Sequence, residues 1–243
     1  MNHRLDRIRL AWAGAALLAL TACGGGSDTT SVSTKVVDGA IENALVCIDK
    51  NSNGICDPGE TQGRTAKDGS VTLDVPNADV GKYPILAIVG TDAIDADNDK
   101  VMTAYTMSAP ADRVAVVSPL TTLVQQTVAS TGVTTNEAAV SVQTATGIKT
   151  SLFEDFTKAG APTDGSVVSA AAVARMLVVT TQQQARLIAT TKDTKALDGD
   201  VITKEHLDKA IQKKLLELLP ALVTALRDPA VTDPVTGDRK SVV

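Results

Sequence analysis

The stretch Val114-Ala115-Val116-Val117-Ser118-Pro119-Leu120-Thr121-Thr122-Leu123-Val124 decides the fold. Val114–Val117 reads as a short apolar strand. Ser118 suits a helix N-cap and Pro119 suits the first helical turn. From Leu120 onward apolar residues recur at helical spacing. The chain therefore changes from strands to helices at Ser118. Upstream, from Lys35, short β runs alternate with turn signals: Ala44–Ile48, Val71–Val75, Ile85–Val89 and Val101–Met107, then Val114–Val117. Lys67-Asp68-Gly69-Ser70 reads as a hairpin turn between Gln62–Ala66 and Val71–Val75. Downstream, helices are expected over Pro119–Ser130, Asn136–Thr146, Val167–Thr191 and Lys204–Arg227. The last carries an apolar stripe of Leu207, Ile211, Leu215, Leu218, Leu222 and Leu226, and Pro220 should kink it. The expected class is α+β: a small N-terminal β-sandwich over residues 35–117, then an all-α helical module over 118–230.

The N-terminus carries an address. Leu20-Thr21-Ala22-Cys23 reads as a lipobox, the cleavage and lipidation signal of bacterial lipoproteins. Arg4, Arg7 and Arg9 precede a short apolar run, Ala11–Leu20. Ten apolar residues are too few for a bilayer core, which needs about twenty. Residues 1–22 are thus expected to be a signal peptide and Cys23 the lipidated residue, the alternative being an ordinary secretory signal cut after Ala22. Gly24, not Asp, follows it, so the expected location is the bacterial cell envelope at the outer membrane. Residues 23–34 are rich in Gly, Ser and Thr and read as a flexible tether. At the other end, Asp238–Val243 matches what one reading frame of a common sequencing adapter encodes. The tail, residues 231–243, is therefore expected to be truncated or artefactual, and the natural chain to continue beyond Gly237.

Composition excludes some classes. Removing the signal removes three Arg and one Asp, taking the formal net charge from −5 to about −7. No basic footprint for nucleic acid remains. Trp12 leaves with the signal, so Tyr83, Tyr105, Phe153 and Phe156 are the aromatic residues left, few for a stacking platform. Cys47 and Cys56 are an even pair in an exported chain, and an oxidising compartment favours a disulfide between them.

Asp49-Lys50-Asn51-Ser52-Asn53-Gly54-Ile55-Cys56-Asp57-Pro58-Gly59-Glu60 fits the twelve-residue calcium loop. Asp49, Asn51 and Asn53 fall at positions 1, 3 and 5, Gly54 at the sharp turn, and the Ile55 carbonyl at 7. Asp57 stands at 9 and Glu60 at 12, where a carboxylate chelates with both oxygens. Hard oxygen donors at alternate residues let one tight loop wrap one ion. Calcium is the expected cofactor. The flanks, a strand before and a polar Gly-containing stretch after, place the loop on a β-domain instead of between two helices. A second acidic group, Asp95-Ala-Asp97-Asn-Asp99 with Asp92 before it, could hold another ion or donate to the first. Lys100 stands where a glycine would help and no chelating Glu sits at the right distance, so the residues favour a solvated loop over an ion site.

These residues carry a resemblance. Val46–Glu60 resembles the calcium segment of B-type repeats in staphylococcal Sdr surface proteins, which are β-sandwich spacers of adhesins. Thr65–Leu73 is similar to a stretch of carboxypeptidase-regulatory-like, transthyretin-like domains, with Val71 where those have an aromatic. Together with Val117–Val124, the chain looks like a group of poorly characterised Gram-negative lipoproteins. The resemblance implies a calcium-stabilised structure and no catalysis.

The sequence shows no Gly-x-Ser-x-Gly elbow, no His-Glu-x-x-His helix and no phosphate loop. His206 is the sole histidine after the signal, at a Lys-Glu-His-Leu helix start. The expected function is a non-catalytic envelope lipoprotein with a structural, adhesion or interaction role. Its partners would be the membrane through the lipid anchor and other surface proteins or glycans. Two alternatives stay open: the anchor and stalk of an enzyme whose catalytic domain lies beyond this chain, and a ligand-binding lipoprotein with a cleft between its modules.

Overall fold

The computed structural model describes residues 28–97, 99–158, 169–190, 194–195, 201–202, 214–215 and 217–225. Its strands in the N-terminal half are β1 (Thr29–Val36), β2 (Ile41–Glu42), β3 (Leu45–Ile48), β4 (Gln62–Arg64), β5 (Ser70–Pro76), β6 (Ile85–Val89), β7 (Ile94–Asp95), β8 (Asp99–Lys100), β9 (Tyr105–Ala109) and β10 (Val116–Val117). They form three sheets of order β10-β1-β5, β2-β7-β8 and β4-β3-β6-β9. The class is α+β, strands first and helices after, as the switch at Ser118 implied.

The first strand corrects the tether. The flexible stretch expected to reach Thr34 is already strand from Thr29, antiparallel to β5 from Thr29↔Pro76 to Lys35↔Ser70. Thr and Ser carry this strand because they serve both faces. Val32, Thr34 and Val36 turn inward, while Ser31 donates to Asp74 at 2.9 Å, and Ser33 and Thr72 share a hydroxyl contact at 2.9 Å. Such cross-strand pairs stabilise a sheet by a few tenths of a kcal/mol each, up to about 1.

The turn at Lys67–Ser70 forms, with Ala66 N–H donating to the Ser70 carbonyl at 2.8 Å. It is not a hairpin between paired strands: β4 pairs with β3, and β5 pairs with β1. The turn carries the chain from one sheet to another. Gly69 permits this, with φ of 80° and its carbonyl accepting the Val36 N–H at 2.9 Å. The strand expected at Val101–Met107 lies further on, at Tyr105–Ala109, because Asp99–Lys100 folds back on Ile94–Asp95.

Val116 and Val117 pair in parallel with Lys35 and Val36, and helix α1 (Pro119–Thr131) starts at once. Ser118 caps it: its hydroxyl accepts the Thr121 N–H at 3.2 Å, and the Thr121 hydroxyl accepts the Ser118 N–H at 2.8 Å. Thr121 also donates to the Ser108 carbonyl at 2.8 Å, and Thr122 accepts the Ser108 N–H at 2.8 Å. The cap thereby bolts the first helix to β9. Replacing Ser118 with Ala should cost about 1–2 kcal/mol, the upper range for a cap, since the box is buried. A chain of this size should then melt about 2–8 °C lower by circular dichroism.

Helix α2 (Thr135–Thr146), a 3₁₀ turn at Phe156–Lys158 and helix α3 (Ala170–Thr190) follow. Leu120, Leu123, Val142, Ile148, Leu152 and Leu177 form the core of this half. Residues 214–215 and 217–225 are again helical. Leu215, Leu219 and Val223 are the buried residues there, while Leu218 is 45% exposed. The core line therefore runs every fourth residue, and not through Leu218 as the stripe suggested. Leu207, Ile211 and Leu226 lie outside the described residues. The helical half also holds a two-stranded pair, β11 (Thr194–Lys195) with β12 (Val201–Ile202), so it is not purely α.

The halves share an interface. Val178 of α3 joins the β core beside Met107 and Tyr105. Arg186 donates to the Thr103 hydroxyl at 2.6 Å, and Lys35 of β1 pairs with Asp155 at 2.8 Å. At this junction a cavity of about 20 Å³, lined by residues such as Met107, Leu123 and Leu177, has room for one water. Among the described residues no helix is long and apolar enough to cross a membrane.

Candidate metal centre

The loop at 49–60 leaves the end of β3, a strand buried on both neighbours' sides between β4 and β6. Asp49 is 4% exposed, and its N–H donates to the Pro84 carbonyl at 3.0 Å, which fixes where the loop begins. Its carboxylate then closes the turn. Oδ1 accepts the Asn53 N–H at 3.1 Å, and Oδ2 accepts the Gly54 N–H at 3.0 Å. Asn51 Oδ1 also accepts from Asn53 N–H at 3.1 Å, and Asn53 Oδ1 accepts from Ile55 N–H at 2.8 Å. Gly54 sits at φ of 75° with open space where a Cβ would be. Backbone conformation, not crowding, selects glycine there.

Asp57 and Glu60 face the Asn residues. The amides of Asn51 and Asn53 both donate to Asp57 Oδ2, at 2.9 and 2.8 Å. Glu60 spans the loop: Oε1 accepts the Lys50 N–H at 2.7 Å and Oε2 accepts the Asp57 N–H at 3.0 Å. Ile55 turns its side chain out, 56% exposed, which leaves only its backbone to the loop interior. The structure thus brings Asp49, Asn51, Asn53, Asp57 and Glu60 into one turn, as the spacing implied. In this arrangement the oxygens satisfy one another and the backbone. Among the described residues, no three His, Cys, Asp or Glu side chains form a ready cage for a metal ion. An ion would have to replace several of these hydrogen bonds, with the two amides turned to present oxygen.

Two restraints hold the loop without any ion. Cys47, fully buried in β3, is disulfide-bonded to Cys56, nine positions on, with their Cα atoms 5.6 Å apart. The bond ties the middle of the loop to the strand two residues before Asp49. Lys50 pairs with Asp79 at 2.6 Å and pins the loop to the turn before β6.

The second acidic group divides. Asp92 accepts from the Asn43 amide at 3.0 Å and pairs with Arg64 at 3.4 Å on the surface. Asn43 precedes β3 and Asp49 follows it, so this group does not donate to the first loop. Asp95 and Asp97 lie in the β7–β8 hairpin, where Asp95 Oδ1 accepts the Asp97 N–H at 2.9 Å. The Asp99 side chain lies outside the described residues, as do Cys23 and residues 231–243.

One residue that sequence reasoning missed stands beside Asp95. Asp38, in the turn after β1, is 7% exposed. Tyr105 donates its hydroxyl to Asp38 Oδ2 at 3.2 Å, while Oδ1 is buried with no hydrogen-bond partner. Burial first, then the charge of Asp95, pushes the Asp38 carboxyl up to about 7. Asp97 adds to the push, and Tyr105 and Arg175 oppose it. In sequence, Asp38-Gly39 is an ordinary turn dipeptide, and no spacing links it to Asp95. No protein-family model, no curated protein and no solved structure matches this chain.

Proposed function

We propose that this chain is a lipid-anchored protein of the bacterial cell envelope whose β-sandwich is stabilised by calcium, and whose role is structural, in adhesion or interaction. One observation carries the reading: a twelve-residue loop gathers oxygen donors at alternate positions while a disulfide and an ion pair hold its backbone. The donor set is all oxygen: the side chains of Asp49, Asn51, Asn53, Asp57 and Glu60 and the Ile55 carbonyl. Cys47 and Cys56 are bonded to each other, so no thiolate is left to favour zinc. Hard oxygen donors fit calcium, which accepts six to eight of them at relaxed geometry. The ion would supply charge to cross-link the loop and nothing more. Asp49 orients the turn, Glu60 spans it, and the loop then braces β3 against β6.

The resemblance to B-type repeats and the lipobox before Cys23 support a location outside the cytoplasm, where calcium is abundant. Extracellular calcium modules bind near 10⁻⁴–10⁻³ M. At ten times that dissociation constant, binding adds about 1.4 kcal/mol. The full chain should melt about 3–6 °C higher in calcium than in chelator, since a chain of this size shifts about 2–4 °C per kcal/mol. Equal melting in the two, for folded protein, would remove the reading. The anchor is tested separately. Cys23→Ala should release the protein from the membrane fraction or leave an uncleaved precursor, and unchanged processing and attachment would refute lipidation at that residue.

A further inference from the structure

Asp38 poses a physical problem that its own neighbours do not solve. A carboxylate 7% exposed should have both oxygens satisfied, because an unmet buried acceptor costs about 1–3 kcal/mol and more when charged. Tyr105 serves Oδ2 and nothing serves Oδ1. The charge that acts on it most is of the same sign: Asp95, itself 5% exposed, from the hairpin that pairs with β2. Asp97 approaches from the same hairpin. The backbone is drawn in close as well. A Cβ on Gly39 would press into Asp95 Oδ1 and stand 3.1 Å from the Asp97 carboxylate carbon. Two turns distant in sequence thus meet at Gly39, which has no room for a side chain. The facing cation is Arg175 from α3, and its effect on Asp38 is smaller than those of Asp95 and Asp97.

We propose that Asp38 and Asp95 bind a second hard divalent cation, calcium, at the contact between the β1–β2 turn and the β7–β8 hairpin, independently of the 49–60 loop. The sequence pointed to Asp95, Asp97 and Asp99. In the structure Asp95 is the charge that acts most on Asp38, whose orphaned Oδ1 is the donor without a partner. Two carboxylates are enough charge for calcium when backbone carbonyls and water fill the remaining positions. The donors are oxygen only, which disfavours zinc and copper. Bound there, the ion would tie β2 and the hairpin to Tyr105 of β9, and so to the face on which α3 packs.

Equilibrium dialysis of the full chain against calcium chloride tests this. The expected stoichiometry is two ions for the wild type, one for Asp38→Asn, one for Glu60→Ala and none for the double variant. Asp95→Asn should behave as Asp38→Asn, with affinity at this site falling at least tenfold. Asn is nearly isosteric with Asp, and circular dichroism of each variant shows that it is folded. If the wild type binds a single ion that Asp38→Asn abolishes and Glu60→Ala spares, the inference stands and the loop reading falls. If a single ion is lost in Glu60→Ala and kept in both Asn variants, the inference is overturned and the loop reading stands. No binding by the wild type overturns both.

Discussion

In chelator, the protein should become less stable as pH rises from about 4 to about 8, and Asp38→Asn should remove most of that slope. The Asp38 carboxyl is held near 7 in the folded chain against an ordinary 3.8. Below about 4 it is protonated in both states and costs nothing. Between about 4 and 7 the unfolded chain has released the proton and the folded chain still holds it. Folding therefore weakens with pH until the folded group also titrates, and above about 7 the full penalty applies. Roughly three pH units at 1.36 kcal/mol each amount to on the order of 4 kcal/mol. Asn leaves a buried amide that costs about 1 kcal/mol, so the variant should exceed the wild type by about 3 kcal/mol at pH 8. That advantage should vanish near pH 4. Denaturant melts of both proteins across this range supply the measurement, and parallel curves would show that Asp38 is not held neutral. With calcium present at pH 8 the advantage should shrink, because a bound ion removes the penalty that the substitution removes.

Loss of the disulfide should be the second large effect. Cys47 and Cys56 are nine positions apart, and closing so short a loop restrains the unfolded chain by about 2–3 kcal/mol. The Cys47→Ser/Cys56→Ser variant should melt about 4–12 °C lower, given about 2–4 °C per kcal/mol for a chain of this size. The wild type in reductant should fall to match it. Thiol labelling of unfolded, unreduced protein should find neither Cys47 nor Cys56 reactive. Two reactive thiols at these positions would contradict the bond.

Much of this was legible in the sequence because the signals were local. The loop is a contiguous motif, and the structure brings Asp49, Asn51, Asn53, Asp57 and Glu60 into one turn, hydrogen-bonded to one another and to the backbone. The helix start at Ser118 is equally local, since a cap and a first-turn proline occupy adjacent positions. Ile85–Val89 is a run apolar enough to be a central strand and nothing else. What stayed hidden depended on partners elsewhere in the chain. Thr29–Val36 is polar enough to resemble a tether and becomes a strand only because Ser70–Pro76 pairs with it and Thr72, Asp74 and the following Asn77 meet its hydroxyls. The turn at Lys67–Ser70 was legible, but which strand each flank would choose was not. Tyr105–Ala109 slid from its expected position because a small hairpin claimed the residues before it. Asp38 was least visible, because a buried carboxylate is recognised by what surrounds it, and its surroundings come from β7–β8, β9 and α3.

Calcium binding at the clamped loop, residues 49–60, is open to a direct test. Glu60 tests it best, because it would supply two oxygens, whereas water can replace the smaller polar ligands. Calorimetric titration of calcium into the folded chain, wild type beside Glu60→Ala, measures this directly. The wild type should show a binding event near 10⁻⁴–10⁻³ M that persists in excess magnesium. That event should be absent from the variant, which keeps only the ion proposed at Asp38 and Asp95. The same calcium binding in both proteins would contradict it and leave the loop as a disulfide-braced turn.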